Sequence, residues 1–289
     1  MIPLRLRRRA AVSGAALASA LLVSAPAPLP APAPAAPDAA GVLTVIAHRG
    51  ASAVAPENTL VSDEVARRSG AEWIENDVQS SRDGVPYVVH DATVDRTTDG
   101  SGPVRSLTSA RLDALDAGSW FAPSFAGARI PTLAAQLADL RTRGGRLLLE
   151  IKGPHSRAEV ARIVRDVREQ RMAGRVMVQS FDPESLRYVR ELAPELPRAL
   201  LRERFDADPV AVARELGLSA YNVSYPGLSA RTGAVAELRA AGVAVHVWTV
   251  DDPARWRVLA GLGVAGVITN RPAELAGWNA ARRGPGPSR

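Results

Sequence analysis

The chain has 289 residues, a hydrophobic fraction of 46%, few aromatics (4%) and a formal net charge of +6. Four of those positive charges are Arg5, Arg7, Arg8 and Arg9, so the chain from Asp38 onward carries only +2, too small and too scattered a surplus for a nucleic-acid-binding face. The absence of cysteine excludes structural disulfides, thiolate zinc sites, cysteine nucleophiles and lipid attachment at an N-terminal cysteine.

Residues 1–24 read as an export signal: a basic stretch from Arg5 to Arg9, then an apolar, small-residue stretch from Ala10 to Val23 that is too short to span a bilayer. The arginine run resembles a twin-arginine signal only weakly, and several small-residue cleavage points lie between Ala25 and Ala40. Residues 25–40 are mostly alanine and proline, an extended spacer that cannot build a core, and nothing later is apolar enough to cross a membrane. The expectation is a secreted protein whose working domain covers residues 41–280, with a flexible tail over 281–289.

From residue 42 apolar runs alternate with helical patterns. Val42–Ala47 leads to His48-Arg49-Gly50, and a helix follows Asn58-Thr59. The second strand, Trp73–Val78, has a hairpin extension over Val85–Val89 that ends at His90-Asp91. A loop-rich stretch of about residues 92–130 follows, read as an insertion. The remaining strands are Arg146–Lys152, Val176–Ser180, Arg198–Leu201, Ala220–Ser224, Val243–Val250 and Gly266–Thr269. Helices are expected over 132–143, 156–170, 183–193, 208–216, 229–241, 252–261 and from about 272. With the hairpin counted into strand two, eight strand-helix units predict an α/β fold, a (β/α)8 TIM barrel with a small insertion after strand 2. An open doubly wound sheet is the runner-up, but it lacks the glycine-rich turn after its first strand.

Glu75 and Asp77 stand at i and i+2 of one strand, so they share a face, and the same holds for Glu150 and Lys152. Carboxylates crowded on one face repel unless a cation lies between them. In a barrel the strands' C-terminal ends carry the active site, and these residues, with His48, Arg49, His90 and Trp248, fall there. An all-oxygen, three-carboxylate set suits Ca2+ or Mg2+. Two histidines can serve as general acid and base, and Arg49 and Lys152 can hold an anion. Lys152 is the sole lysine in an arginine-rich chain. The combination describes hydrolysis of a phosphate ester. His155 and His246 read as structural, and Trp248 as rim packing or a substrate platform.

The ordered series His48-Arg49-Gly50, Pro56-Glu57-Asn58-Thr59, Glu75-Asn76-Asp77-Val78, Asp83-Gly84, His90-Asp91, Leu149-Glu150-Ile151-Lys152, Gln179-Ser180-Phe181, Val247-Trp248-Thr249-Val250 and Gly266-Val267-Ile268-Thr269 resembles the glycerophosphodiester phosphodiesterases over about residues 44–275. The resemblance implies a TIM barrel with an insertion after strand two. It implies Glu75, Asp77 and Glu150 as metal ligands, His48 and His90 as the acid/base pair, and Arg49 and Lys152 at the phosphate. It also implies substrates such as glycerophosphocholine, cleaved to glycerol 3-phosphate and an alcohol. Two departures stand out: Asn270 and Ala265 occupy positions where the family commonly has aspartate. Neither belongs to the metal or histidine set, so the chemistry is expected to survive. Ser80-Ser81, where a threonine is usual, reads as minor. Intact lipid, with Trp120, Phe121 and Phe125 as an apolar rim, or a glycerol-phosphate wall polymer is the alternative substrate. A non-catalytic barrel is a distant third reading, and oligomeric state is open.

Overall fold

Short apolar runs capped by polar turn residues become the staves of a barrel. In the computed structural model, which describes residues 41–283, the strands are β1 (Thr44–His48), β2 (Trp73–Ser80), β3 (Pro86–Val88), β4 (Leu147–Ile151), β5 (Val176–Ser180), β6 (Arg198–Arg202), β7 (Ala220–Ser224), β8 (Ala244–Trp248) and β9 (Gly266–Thr269). Parallel pairing runs β1-β2-β4-β5-β6-β7-β8-β9, and β9 returns to β1, with Ile46 facing Ile268 across the seam. This closes an eight-stranded parallel barrel. β3 lies antiparallel on β2 as the expected hairpin extension, Val88 opposite Val78. The export signal and spacer of residues 1–40, and residues 284–289 of the expected tail, lie outside the described residues; residues 281–283 of that tail are instead the end of the last helix, Pro272–Arg283.

Ten helices alternate with the strands among the described residues: α1 (Leu60–Arg68), α2 (Ser109–Asp113), α3 (Leu133–Arg143), α4 (Arg157–Glu169), α5 (Pro183–Leu192), α6 (Pro209–Leu216), α7 (Tyr225–Ala230), α8 (Gly233–Ala240), α9 (Pro253–Leu262) and α10 (Pro272–Arg283). Their starts follow from local chemistry. Asp182, Asp208 and Asp252 each cap a helix whose first turn begins with proline, so the side chain satisfies free N–H groups where proline has none to offer. Ser156 and Glu159 close a reciprocal capping box on α4.

The single helix expected over 229–241 is instead two. Ser224 ends β7 and immediately caps α7 at Gly227, Pro226 fixes the first turn, and the non-helical backbone of Arg231 (φ -151°, ψ 66°) breaks the run before α8 begins.

Three clusters of buried side chains account for the packing. The largest fills the space between the barrel wall and its helices. Inside the barrel, Ile46, Trp73, Leu148, Met177, Ala199, Ala220 and Ile268 form an apolar floor. A third, small core of Tyr87, Val89, Val94, Val104, Leu112, Leu115, Ala117 and Ile130 holds the insertion together. The insertion leaves β3 and returns to it, since Val88 N–H donates to the Pro131 carbonyl at 2.9 Å before α3 starts. It therefore sits beside the mouth as its own compact unit.

Candidate active site

Above the apolar floor, inward-facing positions turn polar. Glu75, Asp77 and Glu150 are 2%, 1% and 5% exposed, and one oxygen of each lies within 4.8 Å of the others. The pairing register explains the convergence: Asp77 sits opposite Glu150 on adjacent parallel strands, and Glu75 is one inward step below Asp77. Burial, then Asp77 and Glu150, push Glu75 well above the ordinary carboxylate range. Burial and Asp77 likewise push Glu150 up to about 8, against the pull of Lys152. Burial would raise Asp77 too, but Arg49 and Lys152 hold it below its ordinary value. Three carboxylates that cannot all ionise together as they stand, all oxygen in donor type, fit a hard divalent cation. They could hold a metal ion.

Two cations flank the trio. Lys152 Nζ is 3.0 Å from Glu150 and 3.6 Å from Asp77. Arg49 lies 3.4 Å from Asp77 and 2.9 Å from Glu57, while its backbone N–H donates to Glu75 at 3.1 Å. Arg49 adopts a left-handed backbone (φ 54°), as does Asn58 (φ 58°), whose side chain donates to Asp77 at 2.9 Å. Two non-glycine residues in that sparsely populated region, both touching the carboxylates, mark backbone held by its surroundings. Gly50 lets this turn press onto α1, because a Cβ there would overlap Ser62.

The two histidines are tethered alike and partnered differently. His90 Nδ1 lies 2.7 Å from Asp91, which can only accept, so Nδ1 carries the proton. Asp91 is held in turn by Arg96, which also grips Glu57 at 2.8 Å. His48 Nδ1 lies 2.7 Å from Asn270 Oδ1. Asn270 cannot turn round, because its amide N–H donates to Asp251 at 2.7 Å; Ser52 adds a second donor to Oδ1 at 2.8 Å. Each imidazole thus keeps Nε2 for the site. Burial and the nearby Arg49 guanidinium hold the His48 pKa down at about 4, so it is neutral at ordinary pH.

All eight residues singled out by sequence, His48, Arg49, Glu75, Asp77, His90, Glu150, Lys152 and Trp248, line one pocket of about 410 Å³. Its opposite wall is apolar: Phe181, Leu201, Trp248 and Ile268, with Phe181 and Trp248 edge to face at 5.6 Å. Trp248 is pinned there by its indole N–H on the Asn222 carbonyl, 3.2 Å away. His155 lies outside the pocket, beside Arg105. Trp120, Phe121 and Phe125 stack edge to face on one another within the insertion.

One expectation is overturned. Asn270 was expected to stand apart from the histidine set, yet it is the direct partner of His48. Sequence reasoning also passed over Gln179, Asn222 and the interior role of His246. Their signal was parity: each is a polar residue at an inward-facing position of a five-residue strand.

A buried acidic trio flanked by two cations and two Nδ1-tethered histidines, at the C-terminal mouth of a (β/α)8 barrel, defines a barrel enzyme for cleaving phosphate esters. Comparison with known proteins narrows this. The glycerophosphoryl diester phosphodiesterase family matches residues 48–274. A glycerophosphodiester phosphodiesterase of Caldanaerobacter subterraneus is 36% identical over 243 residues, 83% of this chain and 98% of that one. A solved glycerophosphodiester phosphodiesterase of Agrobacterium tumefaciens superposes with a TM-score of 0.73 at 35% identity, over 82% of this chain and all of that one. A phosphodiesterase of Oleispira antarctica, solved with sn-glycerol-3-phosphate as product, gives a TM-score of 0.77 at 29% identity, over 82% of this chain and 96% of that one. The chain belongs to the glycerophosphoryl diester phosphodiesterase family and is a phosphoric diester hydrolase.

Proposed function

We propose that this enzyme hydrolyses small glycerophosphodiesters such as glycerophosphocholine to glycerol 3-phosphate and an alcohol, with His48 as general base and His90 as general acid. The observation that carries the assignment is the contrast between the tethers. His48 leans on a neutral amide, which keeps a free lone pair on Nε2, whereas His90 leans on a carboxylate, a partner able to neutralise an imidazolium. Glu75, Asp77 and Glu150 would hold a divalent cation, Ca2+ or Mg2+, whose charge offsets that of the phosphate. Arg49 and Lys152 face the same space and attract the phosphate oxygens. A water, or the glycerol hydroxyl next to the phosphate, loses its proton to His48 Nε2 as its oxygen bonds to phosphorus; where the hydroxyl attacks, a cyclic phosphate forms, and a water then opens it to glycerol 3-phosphate in a second step with the two histidines exchanging roles. The bond from phosphorus to the departing oxygen breaks, and that oxygen takes the proton held by His90. The apolar wall of Phe181 and Trp248 offers the carbon skeleton of the substrate a surface that excludes water.

Release of glycerol 3-phosphate from glycerophosphocholine, followed with Ca2+, with Mg2+ and with a chelator, tests the reading. Turnover that needs a cation and is lost in His48→Ala and His90→Ala is the expected result. Turnover unaffected by chelation would overturn the metal assignment. The basic, then apolar N-terminus further supports action outside the cytoplasm; fractionation with N-terminal sequencing tests this, and protein found only inside the cytoplasm with Met1 intact would refute it.

A further inference from the structure

Four buried side chains cross the barrel interior in one hydrogen-bonded line. His246 Nδ1 on β8 meets Asn222 Oδ1 on β7 at 2.9 Å; the Asn222 amide donates to Gln179 Oε1 on β5 at 2.7 Å; the Gln179 amide donates to Glu75 Oε1 on β2 at 3.0 Å. All four are 2% exposed or less. β6 lies between β5 and β7, so the central link spans the interior rather than following neighbouring strands.

The line has a direction. As a cation ligand Glu75 would be ionised and could only accept, which agrees with the Gln179 amide N–H turned toward it and Gln179 Oε1 facing Asn222. Asn222 must then present its own N–H to Gln179 and its oxygen to His246, which answers with Nδ1–H. Burial keeps His246 neutral, its pKa lowered to about 4. Its Nε2 is buried without a hydrogen-bond partner, so Asn222 is its sole polar anchor among the described residues. Apolar side chains would fill this tier at lower desolvation cost, as they do on the floor below. What distinguishes the polar version is its end point: the Glu75 oxygen left over from the Arg49 backbone N–H.

We propose that His246 and Asn222 are positioning residues acting through Gln179, so that the far wall of the barrel sets the orientation of Glu75 and hence the site's affinity for its cation. The inference rests on the reading of Glu75, Asp77 and Glu150 as cation ligands. Outer partners of this kind are worth about 10- to 100-fold in metal affinity.

Calorimetric titration of the protein with Ca2+ and with Mg2+ is the test, using variants shown by circular dichroism to melt cooperatively. Gln179→Leu should bind about tenfold more weakly, and His246→Leu several-fold more weakly. The double variant should lose no more than Gln179→Leu alone, since the line is already cut; losses that add would mean mere packing and overturn the proposal. Asn222→Asp is the sharper variant, because it keeps the shape. Its added negative charge favours cation binding by simple Coulomb attraction. Along the line, however, it has no N–H for Gln179 and turns that amide's oxygen on Glu75, so binding should weaken. Equal or tighter binding would sink the idea. The imidazole ¹⁵N resonances of His246 should also shift on cation addition in the unaltered protein and stay put in Gln179→Leu. An unaltered protein that binds neither cation, or a Glu150→Gln variant that binds as well as it does, removes the underlying reading and this inference with it.

Discussion

The two halves of the barrel mouth are built from different chemistry. The arc from β1 through β2 to β4 carries formal charge: Arg49, Glu75, Asp77, Glu150 and Lys152. The arc from β5 through β7 to β8 carries neutral hydrogen-bonding groups: Gln179, Asn222 and His246. Charges in a buried site provide force without direction, since each carboxylate has several ways to point. Amides provide direction without force, because donor and acceptor ends are distinct and cannot be exchanged at no cost. A site proposed to hold a small ion in a fixed place would use both.

Breaking the charged arc should have the largest effect. Glu75→Gln, Asp77→Gln or Glu150→Gln alters one of the three carboxylates proposed to hold the cation, and loss of turnover on the order of 10³-fold or more is expected, with calorimetric cation affinity falling in parallel. Retained affinity in all three would show that the cation is held elsewhere. Next come the histidines: His48→Ala and His90→Ala should lower kcat by about 10²- to 10⁴-fold while cation affinity stays near that of the unaltered protein. A fall in both would mean that the histidines belong to the ion site after all.

The tether of His48 sharpens the comparison at smaller scale, because an amide there replaces a charge. Asn270→Asp puts a carboxylate against His48 Nδ1 and should raise the imidazole pKa from about 4 toward or beyond the ordinary 6.5. Activity then requires a higher pH to free the base, so the acidic limb of the kcat/KM profile should move upward. A profile that does not move would remove His48 from the role of base.

The smallest effect is expected on the outer side of β2. There Asp63 of α1 is buried against Asn76 and Gln136, and burial pushes its pKa up to about 7. Above pH 7 the folded chain buries a carboxylate that the unfolded chain exposes freely; as pH falls through 7 toward the unfolded value of 3.8, the folded form gains its proton first and stability rises. Asp63→Asn should flatten that dependence and raise Tm at pH 8 by a few degrees, since Gln136 and Asn76 each have an unpartnered oxygen available to a rotated amide. A lower Tm at pH 8 would show that the charge itself is needed.

The same division explains what could be read from the chain. Charged residues at i and i+2 in apolar strands announce a shared face, so Glu75, Asp77, Glu150 and Lys152 were visible before any coordinates. Strand and helix alternation likewise gave the barrel. Asn222 and His246 sit within apolar strands without a charge pattern; they meet as register partners on β7 and β8, but Asn222 reaches Gln179 across the interior, where sequence spacing has no bearing. Asn270 was read as a lost acid; only the position of Asp251 behind it reveals an amide with a fixed orientation. The split between α7 and α8 was hidden because Ser224 serves two elements at once.

The seam where β9 meets β1 has a consequence for how the enzyme comes into being. The bond between His48 and Asn270 joins positions 222 residues apart. A growing polypeptide carries Glu75, Asp77 and Glu150 well before Asn270, so the Nδ1 partner of His48 arrives only after the final strand. On the proposed role of His48 as base, a chain stopped before Gly266 would lack both the strand that closes the barrel on β1 and the amide that seats the imidazole, so activity would be the last property acquired during synthesis.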